Sequence, residues 1–271
     1  MTKHVVFWGL CAVLVFAPLP IGSVEEWAVF VFEAATIGLF LLYAGGEMAS
    51  RAVRRRRRVA IEDGEPLVPD GAGEHEGGDE GGGEGALARA RLPLFIKVLL
   101  GVFVVVSLLQ LVPLPPGLVK VLSPRAHDIF TGLSRDGLAA PAGRMTLSLA
   151  PSASLGELVL ILSYGLFGFL VLRTVRTRRQ VEAFVLVILA SALFQALYGM
   201  AEMFSGHEMI FGRVKRFGTG SVTGTYVNRN HLAGFLEMAF PLGLGYLLVK
   251  ARYFAMEKGM SLRRKIVWFG Q

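Results

Sequence analysis

The sequence has one cysteine, Cys11, in 271 residues, which excludes an intrachain disulfide and any metal centre built from several thiolates. Charge is scarce as well. Only 18% of residues are Asp, Glu, Lys or Arg while 53% are hydrophobic, and the apolar residues come in long blocks rather than in alternation, which excludes an ordinary soluble domain. Acidic residues number 21 against 28 Lys and Arg, yet the resulting charge of +7 does not describe a nucleic-acid surface. The cations gather at the ends of apolar blocks, as the positive-inside rule requires, so no nucleic-acid partner is expected. Histidine is rare, and the one acidic cluster around a histidine (Glu74, His75, Glu76, Asp79) lies in a stretch too rich in glycine to fix a ligand geometry; no metal site is expected. No segment repeats another, as the two halves of many transporters do.

What is present reads as an all-α, polytopic helical membrane protein: one membrane domain with about six transmembrane helices and the start of a seventh. The expected spans are Val5 to Ala17, Trp27 to Gly46, Leu94 to Leu111, Leu155 to Leu172, Val181 to Phe204 and His231 to Val249, with Ile266 to Gln271 opening another. The first is short enough that a secretory signal stands beside a helix as a reading, although no small-residue cleavage site follows it. Residues 51–93 are expected to form a disordered cytoplasmic linker that begins with a basic block (Arg51, Arg54 to Arg58) and turns acidic and glycine-rich from Ile61 to Gly85, a composition that buries no core. Residues 112–153 form an extracytoplasmic loop holding a short amphipathic helix, Gly117 to Leu122, and an extended piece from Met145 to Leu149. Ser154 to Glu157 matches a capping box and places the next helix start near Leu155. In the fifth span Ser191, Gln195, Tyr198 and Glu202 share one face; they read either as interhelical hydrogen-bonding groups, with Glu202 in interfacial water, or as a polar wall facing the outer site. Of the 28 cations, 20 fall in the segments this topology puts inside and 8 outside, which sets residues 205–230 on the extracytoplasmic side.

The stretch from Arg213 to Pro241 is the only one that reads as a chemical site. A basic, glycine-rich loop with Arg213, Lys215, Arg216 and Arg229 runs into an apolar helix past Asn228, Asn230 and His231, where water gives way to lipid. Arginine forks suit phosphate oxygens, and free amides at a helix start add partial positive charge. Asn228 suits helix capping or a sugar hydroxyl, and Asn230, Glu237 and Pro241 share a helix face. The string Gly224-Thr225-Tyr226-Val227-Asn228-Arg229-Asn230-His231-Leu232-Ala233-Gly234 resembles the signature of the bacterial O-antigen ligase and O-antigen polymerase superfamily.

That resemblance implies a membrane glycosyltransferase of cell-surface polysaccharide assembly in the bacterial inner membrane. It would transfer glycan from a polyprenyl-diphosphate carrier to a hydroxyl of a lipid or glycan acceptor, without a cofactor. Arg213, Lys215, Arg216, Asn228, Arg229 and Asn230 would bind substrate, with His231 and Glu237 as the catalytic candidates. Members of that family carry further arginine and histidine residues in a large outer loop of a C-terminal half that these 271 residues do not contain. The expectation is therefore an N-terminal portion that holds a lipid-linked donor without turning it over. Ligase and polymerase are not separated, and a polyprenyl-linked glycan flippase or a non-catalytic membrane subunit remains an alternative.

Overall fold

The computed structural model describes residues 2–20, 25–62, 93–138 and 143–256. Eight helices lie among them: α1 (Thr2–Phe16), α2 (Glu26–Glu62), α3 (Leu94–Leu109), α4 (Pro116–Leu122), α5 (Pro124–Arg135), α6 (Pro151–Thr174), α7 (Arg178–Ser205) and α8 (Arg229–Met256). One small hairpin, β1 (Met209–Ile210) with β2 (Arg213–Val214), is the sole departure from the all-α expectation among the described residues. The acidic part of the linker with His75, and the expected start of a seventh span at Ile266, lie outside the described residues.

Four helices are long and apolar enough to cross a membrane, over Glu26–Arg55, Pro151–Thr174, Arg178–Ser205 and Arg229–Ala251. The shortest of these has 23 residues. At 1.5 Å per residue it reaches about 35 Å, against a hydrocarbon layer of roughly 30 Å. The helices α1 and α3 are apolar but shorter, with 15 and 16 residues, so four of the six expected spans have full length in the structure. Large apolar side chains such as Phe30, Leu193 and Phe240 point outward, the reverse of a water-soluble core and compatible with a multi-pass membrane protein.

The chain forms two compact units. In the first, residues 1–84 and 167–271, α1 packs on α2 and α7, and α7 packs on α8. Its apolar centre is Val6, Leu10, Tyr43 and Leu170, flanked by Phe40, Phe167 and Phe184. Gly9 and Gly46 admit Leu39 and Thr2 so closely that a β-carbon would stand 2.4 and 2.7 Å from them, which lets α1 and α2 approach. The basic block at Arg51 continues α2 as helix to Glu62, so the expectation of a disordered linker from residue 51 is corrected for residues 51–62: the helix begun in the apolar span carries on through the arginines.

In the second unit, residues 85–166, α4 and α5 each begin with a proline, a residue that suits a helix start because its missing N–H would have no partner there. They enclose Val119, Ala126 and Met145, and the expected extended piece reduces to one bridge between Leu114 and Met145. The capping-box expectation at Ser154 is corrected here. Helix α6 starts at Pro151, and Ser154 lies inside it with its Oγ 2.7 Å from that of Ser148. A capping box does occur at Thr177, whose Oγ1 accepts the Gln180 amide at 3.3 Å while Gln180 Oε1 accepts the Thr177 amide at 3.1 Å.

Candidate functional site

The segment between α7 and α8 folds back on the end of the helical unit, and the polar stripe of α7 holds it there. Gln195 is fully buried. Its Oε1 accepts the Thr225 amide at 2.8 Å, and its Nε2 donates to Thr225 Oγ1 at 2.8 Å and to the Pro18 carbonyl at 3.2 Å. One turn on, the Tyr198 hydroxyl accepts the Phe211 amide at 2.8 Å, and its ring stacks between Phe194 and Phe211. One turn further, Glu202 Oε2 accepts the Met209 amide at 3.1 Å. Gln195, Tyr198 and Glu202 thus hold the backbone of the loop.

Backbone geometry gives the loop its shape. The hairpin turns at Phe211 and Gly212, with φ of 47° and 80°, the two left-handed residues of a type I′ turn. Phenylalanine is strained in that region by about 1 kcal/mol, and its stacking on Tyr198 offsets the strain. Gly224 has φ of 59°, and a β-carbon there would sit 2.5 Å from Gln195 Oε1. Across from it, a β-carbon on Gly199 would meet the Gly224 amide at 2.5 Å. The two glycines let the loop backbone lie directly on α7.

This folding opens a cleft of 790 Å³ lined by Arg213, Lys215 and Arg216 together with the apolar Ile210, Val214, Phe217 and Val227. Lys215 is 6% exposed, and its Nζ donates to the Ser221 carbonyl at 3.5 Å. A buried ammonium held by one long hydrogen bond is undercompensated, which favours an incoming anion. The carboxylates of Glu202, on α7, and Glu208, in the loop, do not neutralise these cations. Glu202 is engaged as above, and Glu208 Oε1 accepts the Gly220 amide at 2.5 Å, so both hold backbone instead. Among the described residues no ion pair joins a carboxylate to Arg213, Lys215 or Arg216.

Three of the expected site residues thus converge, and the others lie apart from the cleft. Asn228 caps α8, its Oδ1 accepting the Asn230 amide at 2.8 Å, and Arg229 Nη1 lies 3.4 Å from Ser221 Oγ. Asn230 and His231 are exposed on the first turn of α8, and Glu237 is exposed two turns further along; neither catalytic candidate lines the cleft. The carboxylate that does line it is Glu25, just ahead of α2. Nothing local marks it, because its nearness to Arg213 arises only when α1, α2 and α7 assemble. Tyr226 packs on Phe235 with ring centroids 6.2 Å apart, and burial pushes its phenol up to about 12.

The fold and site together define a helical protein with membrane-length apolar helices and a cation-lined cleft at one end of the bundle. Comparison with family models, curated proteins and solved structures finds no match to the chain.

Proposed function

We propose that the chain is an O-antigen ligase- or polymerase-like membrane protein whose cleft binds the diphosphate of a polyprenyl-linked glycan for transfer to an acceptor hydroxyl. The observation that carries this reading is the convergence of Arg213, Lys215 and Arg216 on one cleft, beside an apolar wall, with no ion pair to a carboxylate among the described residues. The cations suit a diphosphate, Ile210, Val214 and Phe217 suit the first isoprene units, and the volume falls within the roughly 300–1,000 Å³ of small-ligand sites. In this reading α1 and α3 complete six crossings of the bacterial inner membrane and the loop is extracytoplasmic, consistent with the cation count along the sequence.

The test is retention of an undecaprenyl-diphosphate-linked oligosaccharide by the full chain in proteoliposomes. Arg213→Ala and Arg216→Ala are each expected to weaken retention by about tenfold or more, the effect of losing one hydrogen bond to a charged group. Arg216→Lys is expected to weaken it less, because the charge stays while the planar fork is lost. Lys250→Ala removes a cation near Glu182 at the other end of the bundle and should leave retention intact. Equal retention by all four variants sinks the reading and makes the loop cations interfacial anchors.

A further inference from the structure

Resting on the donor-binding reading, we infer that Glu25 is the general base that activates the acceptor hydroxyl. Transfer from a diphosphate needs two things at once: a stabilised leaving group, and a proton acceptor near the attacking oxygen. The sequence alone offers leaving-group cations without a convincing base, and hence the expectation of a chain that holds donor without turnover; with Glu25 in the cleft, both kinds of group are present and that expectation is replaced by one of turnover. Arg213, Lys215 and Arg216 reach the cleft from the loop, and Glu25 reaches it from the start of α2.

Three observations single Glu25 out. Its side chain is exposed and lines the cleft, whereas His231 and Glu237 do not. It forms no ion pair among the described residues, so a carboxylate and three cations share one cleft without neutralising one another. The carboxylates that steady the loop, Glu202 and Glu208, each hold a backbone amide, and no such bond to the Glu25 carboxylate occurs among the described residues. Its backbone is also fixed: the Glu25 carbonyl accepts the amides of Ala28 and Val29 at 2.9 and 3.2 Å, and Ala28 is fully buried. Nearby, Trp27 packs edge-to-face on Phe16 at 6.2 Å. The carboxylate is therefore presented from a rigid helix start, a better platform than a loop.

The step balances without a further reactant. The Glu25 carboxylate takes the proton of the acceptor hydroxyl as its oxygen forms a bond to the anomeric carbon. The bond from that carbon to the diphosphate oxygen breaks, and the electron pair leaves with the diphosphate, whose growing charge Arg213, Lys215 and Arg216 offset. Glu25, being exposed, then returns its proton to water.

The experiment uses the full chain in proteoliposomes with a fluorescent undecaprenyl-diphosphate oligosaccharide as donor. Lipid A–core oligosaccharide and, separately, free oligosaccharide serve as acceptors, and retained donor and product are measured apart. Glu25→Gln, close in shape but not basic, is expected to keep donor retention while product formation falls about 100-fold or more. Formate added to Glu25→Ala should restore part of the turnover, a response that a merely structural carboxylate does not give. Turnover by Glu25→Gln close to that of the unsubstituted chain overturns the assignment, as does loss of its donor retention. An unsubstituted chain that retains donor but forms no product with either acceptor also overturns it and leaves the donor-binding reading standing. An unsubstituted chain that retains no donor removes that reading itself.

Discussion

Both ends of the first helical unit carry cations, and they handle them differently. At one end Lys3 meets Glu47 at 3.0 Å, Arg178 meets Glu182 at 3.3 Å, and the buried Lys250 approaches the same Glu182 at 3.8 Å. The Lys3 pair joins α1 to α2 and the Lys250 pair joins α7 to α8, with Arg178–Glu182 one turn apart within α7, so charge there supports helix packing. At the other end Glu202 and Glu208 bind backbone amides, and Arg213, Lys215 and Arg216 share a cleft with the single carboxylate of Glu25 and form no ion pair among the described residues. Like charges held together repel, so the second arrangement works against stability unless an external anion completes it. The comparison teaches that charge counting separates the two ends by side, whereas the fate of each carboxylate separates them by role.

The largest expected effect is all or none. Single cysteines at Ala52, in the basic part of α2, and at Thr219, in the loop, on a Cys11→Ser background should react with an impermeant thiol reagent from opposite faces of sealed vesicles. Both positions are exposed in the structure. Labelling of both from one face breaks the two-ended comparison outright.

A smaller effect is expected from undocking the loop while its charges stay in place. Gln195→Leu leaves the buried Thr225 amide without its partner, at a cost of about 1–3 kcal/mol, while the Pro18 carbonyl keeps the Thr225 hydroxyl. The lowered thermal midpoint should be accompanied by faster proteolysis within residues 205–230, and by loss of donor retention although Arg213, Lys215 and Arg216 remain. Retention unchanged in a variant with an undocked loop would mean that the cations act without the cleft.

Much of this molecule was legible in its sequence, and the unreadable remainder has physical causes. Long apolar blocks bounded by cations marked the membrane-length helices, because span length and flanking charge are local properties. The 3.6-residue period put Gln195, Tyr198 and Glu202 on one face, but only the fold showed that the loop covers it. The hairpin went unread because its strands have two residues each and its turn is Phe211-Gly212 rather than the usual Asn-Gly. Ser154 misled because a Ser-x-x-Glu pattern says nothing of the proline three residues earlier that claims the helix start. Glu25 was invisible as a site residue because its distance from Arg213 is set by tertiary packing alone.

The smallest expected effect concerns Tyr226, which lies between the loop and α8 at the cleft end. Burial pushes its phenol from 10.0 up to about 12. In the docked loop the neutral form persists to that pH, whereas in the unfolded chain the proton leaves near the ordinary value. Below pH 10 both states are neutral, and the contribution of Tyr226 to stability is fully present. Between pH 10 and about 12 the unfolded state gains by ionising while the folded one does not, so stability falls as pH rises through that window. Two measurements check this. The ultraviolet difference spectrum between the parent chain and Tyr226→Phe should show one tyrosinate appearing near pH 12 rather than near 10, and the Tyr226→Phe denaturation midpoint should depend less on pH across the window. Lysines that titrate in the same range affect both proteins alike, so the difference isolates the phenol. A tyrosinate band at the ordinary pH would place the ring in water and would mean that the loop leaves Gln195 and Phe235 together.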